Sequence, residues 1–200
     1  MSFDAGYTLV IPSIAIVAVV GIIVRVRMYR IADFTIDDMI PRIQPIDKAH
    51  LKDLLHPYQD THFRERLSPH RFRLFQHKRI LLSLLLLQRM KNNIKHLRSL
   101  GWYELQRGVR CRNQRSRAAS RGLLTEAVYC QLLGLRLRVK LHLWLLQMAL
   151  FPFILPPDFA LLKQKGSGNL LYLYRRARRT ALILASNYGD DVRARLAEVL

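Results

Sequence analysis

Histidines are the residues best suited to acid–base or metal chemistry here, and five of the seven lie close together. His50, His56, His62, His70 and His77 are interleaved with Asp47, Asp53 and Asp60. Imidazole and carboxylate are both metal-compatible ligand types, but their spacing here fits no zinc pattern. Only His70 and His77 can share a helical face, two turns apart. His56 and Asp60 have the form of a base-and-acid pair, yet Pro57 breaks any helix that would align them. The group reads as a solvated polar region, with no metal and no cofactor implied.

The other chemical signals are weaker still. There is no nucleophile elbow, H-E-x-x-H, G-x-G-x-x-G or C-x-x-C. K-G-S-G-N at 165–169 lacks the GK[ST] of a phosphate-binding loop and reads as a turn. Cys111 and Cys130 are the only cysteines, and in a cytoplasmic domain they are most simply reduced and unpaired. Cys111 lies between Arg110 and Arg112, a setting that lowers a thiol pKa, although a lone loop cysteine is usually incidental. No convergent catalytic site emerges, so the expectation is a protein that is not an enzyme.

Arginine is the residue type with a consistent message. The formal net charge is +19, unevenly spread. Residues 66–189 hold 24 Lys and Arg against only Glu104, Glu126 and Asp158. So basic a block faces anionic headgroups or nucleic acid, and it is poorly supplied with general acids. The candidate anion-binding residues fall in three sets: Arg25, Arg27 and Arg30; Arg107, Arg110, Arg112, Arg115, Arg117 and Arg121; and Arg175, Arg176, Arg178 and Arg179.

The stretch that would place these residues is Tyr7–Val24, which is uncharged throughout. Eighteen residues at helical rise cover roughly 27 Å, close to the hydrocarbon thickness of a bilayer. Arg25, Arg27 and Arg30 follow at once, whereas only Asp4 is charged before it. That asymmetry predicts a single transmembrane anchor over 7–24 with residues 1–6 outside and the remainder cytoplasmic. A cleaved signal peptide would need its basic residues at the other end.

Beyond the anchor the expected fold class is all-α. Residues 25–67 read as a jointed juxtamembrane collar, cut into short helices by Pro41, Pro45 and Pro57. Residues 68–189 read as a basic helical domain, a bundle or a set of membrane-surface helices, and 190–200 as a short C-terminal helix. Ser68 and Pro69 start the first long helix, with Ile80, Leu84, Leu87, Met90, Ile94 and Leu97 as its apolar stripe and Gly101 as its stop. The apolar turn Leu81–Leu87 calls for cover on several sides. Residues 107–121 read as a loop or frayed helix start, too charged to pack. A second helix is expected over about 118–151. Within it, 135–143 alternates like a strand, but a lone strand would leave its backbone groups unpaired, so helix is preferred. Leu143–Pro157 is uncharged and reads as a core helix, with an interfacial element or a second span as alternatives. In the last long helix Ala177, Ala181 and Ala185 recur every fourth residue, a face that lets a neighbour approach closely.

Two functions fit this pattern. The first is a non-catalytic single-pass protein of the cell membrane whose basic domain docks on anionic phospholipid, and on protein partners through apolar helix faces. The alternative is a membrane-tethered nucleic-acid binder with 107–121 as its phosphate-binding arm. The arginines there have no interleaved aromatics, which favours the first.

Overall fold

The computed structural model describes residues 36–46, 58–110, 113–151 and 168–200. All belong to one compact unit that begins at Ile36. In chain order the helices are α1 (Ile36–Met39), a 3-10 turn (Ile40–Arg42), α2 (Tyr58–Arg66), α3 (Pro69–Arg110), α4 (Gln114–Leu150), α5 (Gly168–Ala185), a second 3-10 turn (Ser186–Tyr188) and α6 (Asp190–Val199). The protein is all-α, with no strand among the described residues. The alternating run 135–143 is helical.

Three long helices make the bundle: α3 and α4 pair along their length, and α5 lies against both. The core follows the periodicity of each. On α3 it comprises Phe72, Ile80, Leu86, Met90, Ile94, Leu97 and Leu100. On α4 it comprises Leu123, Ala127, Cys130, Leu137, Leu141, Trp144 and Met148, and on α5 Leu170, Tyr174, Ala177, Ala181, Leu184 and Ala185. The three alanines of α5 are fully buried, so their small side chains set a close helix approach rather than a solvent or lipid face. Parts of the collar and the tail join the same core. Ile36, Met39, Ile40, Ile43 and Ile46 are buried, as are Leu196 and Leu200. Gly189 has φ 111°, a conformation that disfavours any side chain, and it turns the chain from α5 into α6.

Several expectations are corrected. Gly101 does not end α3, which runs on to Arg110. A Cβ at this position would lie 3.3 Å from the Leu124 side chain and 3.4 Å from that of Leu123. The glycine is there for close packing against α4, which local sequence does not reveal. The stretch 107–121 is not a loop throughout, because α3 runs to Arg110 and α4 begins at Gln114. Arginine is a good helix former, and the Asn113 side chain caps α4 by accepting from the Ser116 backbone N–H at 3.2 Å. Around residue 85 the buried positions of α3 are Ser83 and Leu86, whereas Leu84 and Leu87 are only half-buried. Ser83 is accommodated there because its hydroxyl donates to the Arg79 carbonyl at 2.8 Å. The cover expected for the Leu81–Leu87 turn is also lacking: Leu81, Leu82 and Leu85 stand about half exposed.

Among the described residues no helix is long and apolar enough to cross a membrane. Tyr7–Val24, on which the anchor expectation rests, lies outside them, as do Arg25, Arg27 and Arg30. Of Leu143–Pro157, the part through Leu150 is the end of α4. There Trp144 and Met148 enter the core, while Leu143, Leu146 and Leu150 are exposed.

Candidate functional site

Charge in this bundle is sorted by sign. The two acids of the long helices, Glu104 and Glu126, are both inside, and the described cations of these helices, the buried Arg79 apart, are half-buried or exposed. Glu104 on α3 is 1% exposed, and groups from α4 and the turn after α5 converge on it. The Ser116 hydroxyl donates to its Oε2 at 3.2 Å and the Asn187 amide at 3.3 Å. The Tyr188 hydroxyl donates to its Oε1, and the Arg107 guanidinium stands 3.7 Å from the same oxygen. Arg107 also lies over the Tyr188 ring, 4.8 Å from its centroid. Burial, followed by the bond to Glu104, pushes the Tyr188 phenol well above its ordinary pKa. This cluster holds the ends of three helices in register.

Glu126 on α4 does the same one level along the bundle. It pairs with Arg176 of α5 at 2.5 Å and accepts from the Thr180 hydroxyl at 3.2 Å. A third buried polar group joins the collar. The Asn93 amide N–H donates to the Gln44 carbonyl at 2.8 Å and to the Tyr174 hydroxyl at 3.0 Å, while its oxygen accepts from the Gln44 backbone N–H at 2.9 Å. Collar, α3 and α5 thus meet on one side chain. Sequence reading found none of these roles, since the bonded partners of Asn93 stand 49 and 81 positions away.

The predicted anion-binding arginines divide accordingly. Arg176 and Arg178 are tied within the fold, Arg176 to Glu126 and Arg178 to the Ala197 carbonyl at 3.1 Å. Arg175 and Arg179, one helical turn apart on α5, are exposed. Arg179 and Arg193 line a shallow groove of about 380 Å³ with Leu182, Ile183 and Ser186, a cationic rim around an apolar floor. At the α3–α4 joint, Arg117 donates to the Gly108 carbonyl at 3.2 Å, Arg107 serves Glu104, and Arg115 and Arg121 are exposed. The side chains of Arg110 and Arg112 lie outside the described residues.

Nothing in the described residues assembles a catalytic constellation. No group of three His, Cys, Asp or Glu could hold a metal among them. His62, His70 and His77 are exposed, while His50, His56, Asp47, Asp53, Cys111 and the 165–167 turn residues fall outside. Cys130 is a free thiol packed between α4 and the start of α5, its Sγ 3.9 Å from the Leu170 carbonyl. Burial, and then the charge of Glu126, pushes its pKa up to about 12, which makes it a poor nucleophile. What the arrangement can do is present fixed positive charge on a rigid helical frame to an anionic surface. Comparison with protein-family models, curated proteins and solved structures finds no match for this chain.

Proposed function

We propose that this is a non-catalytic protein of the cell membrane, anchored by Tyr7–Val24 with its N-terminus outside, whose basic helical domain docks on anionic phospholipid of the cytoplasmic leaflet. The observation that carries the reading is the sorting of charge. With Glu104 and Glu126 buried and paired, the surface of the long helices presents Arg and Lys without exposed acids among the described residues of α3, α4 and α5. Each basic side chain close to such a surface contributes on the order of 1 kcal/mol. The anchor, read from the sequence, keeps the domain within reach of that surface. A reporter that works only outside the cell, fused after Leu200, is expected to be silent, and its activity would reverse the topology.

The docking test compares vesicles of phosphatidylcholine with and without phosphatidylglycerol, using the chain without residues 1–30. Binding is expected only with the anionic lipid and is expected to weaken as salt rises. Arg175→Gln with Arg179→Gln removes two exposed charges without touching the Glu126 pair. That change is expected to lower affinity, by about 2 kcal/mol or thirtyfold where both charges lie against the lipid and by less where they act on it across water. Equal binding to neutral vesicles would sink the electrostatic reading, and tighter binding to single-stranded RNA would favour the nucleic-acid alternative.

A further inference from the structure

Helix α4 has two apolar faces, and the bundle uses one. Leu137, Leu141, Trp144 and Met148 face the core. On the opposite side of the same helix Leu132, Leu135, Val139, Leu143, Leu146 and Leu150 recur at steps of 3, 4, 4, 3 and 4, and each is between 52% and 61% exposed. These steps keep the side chains in one line along the helix. The line is about 27 Å long at helical rise. So extended an apolar patch on a surface marks a contact.

The flanks of this line identify the contact. Arg136 and Lys140 border it on one side, Arg138 and His142 on the other, and the only acid of α4, Glu126, is buried against Arg176. Arg138 is held in place by the Gln88 side chain of α3, and the Lys140 ammonium lies 5.1 Å from the Trp144 ring centroid. Both cations are therefore fixed beside the line. A second copy of the chain would bring the same cations against these and offer no exposed acid of α4 to meet them. A straight apolar ridge between two cationic rails matches a flat surface that is anionic at its rim and apolar beneath. We propose that the outer face of α4 lies in the membrane interface, with Leu132–Leu150 entering the headgroup–acyl boundary of an anionic bilayer and Arg136, Arg138 and Lys140 meeting the headgroup phosphates. This deepens the docking reading and rests on it.

The test places a nitroxide on the ridge of the full chain. Cys111→Ser with Leu143→Cys leaves position 143 as the reactive thiol, since Cys130 is buried. The same background with Tyr172→Cys puts a second label on the exposed side of α5. Both proteins are reconstituted into phosphatidylcholine vesicles with and without phosphatidylglycerol, and collisions with oxygen and with a water-soluble nickel chelate are measured. The expected result is that, with phosphatidylglycerol present, the label at 143 loses collisions with the chelate and gains them with oxygen. Leu146→Cys, on the same face, is expected to repeat it. If 143 stays open to the chelate while 172 becomes shielded by anionic lipid, docking stands and the α4 ridge is overturned as its contact. If neither label responds to lipid charge and both stay in water, both readings fail. Shielding of 143 from both reagents in either lipid would mean that protein covers the ridge, which also overturns the proposal. Oxygen contact at 143 in neutral lipid as well would uphold insertion and remove the charge requirement from docking.

Discussion

Glu104 accepts hydrogen bonds from Ser116, Asn187 and Tyr188 while Arg107 stands beside it, and all four depend on one carboxylate. Removing it strands the buried Ser116 hydroxyl and deprives the half-buried Tyr188 phenol and the exposed Asn187 amide of their acceptor. Glu104→Ala is therefore expected to cost about 1–3 kcal/mol, measured by urea unfolding. Glu104→Gln, which keeps the shape and one acceptor oxygen, should cost less. A loss below about 1 kcal/mol for the alanine variant would show that water replaces the network, at the cost of an ordinary surface change. Such roles are invisible in one sequence. Glu104 reads there as one of three acids in a basic block, and nothing near it announces partners at 187 and 188.

The helices were more legible than their contacts. Ser68 and Pro69 mark the start of α3 because capping and proline preference are local effects. The alanine spacing of α5 pointed correctly to a buried face, because a repeat of four survives whatever the partner is. Gly101 and the 107–121 segment were misread for the converse reason. A glycine that admits Leu124 and one that ends a helix look alike until the second helix is in place. The joint charge of six arginines likewise does not show that the Asn113 side chain supplies the cap that the start of α4 needs. The arginines of α5 were legible as a set, but not that two of them would be tied into the fold. At this scale the expected consequence concerns Ala181, which is fully buried. Ala181→Leu adds three heavy atoms to a filled contact and is expected to destabilise by about 1–3 kcal/mol through overpacking. A neutral effect on thermal unfolding would mean that α5 can move away from its neighbours without loss.

Across the described residues, the acids of the long helices join helices, and most of the cations remain half-buried or exposed at the surface. The same arrangement makes the interior chemically quiet. Cys130 sits at the seam of α4 and α5, 3% exposed, with its thiol pKa pushed up to about 12. At neutral pH it can react with an added disulfide reagent only while that seam is open. In a Cys111→Ser background its modification rate is thus an intrinsic clock for opening of the seam. Where closing is fast compared with reaction, the rate is proportional to the open fraction. Loss of Glu104 and crowding at Ala181 should accelerate the clock by factors that reproduce their unfolding free energies if the bundle opens as one unit. A smaller acceleration than the free energy requires would reveal that α5 swings away from α4 while α3 and α4 remain paired.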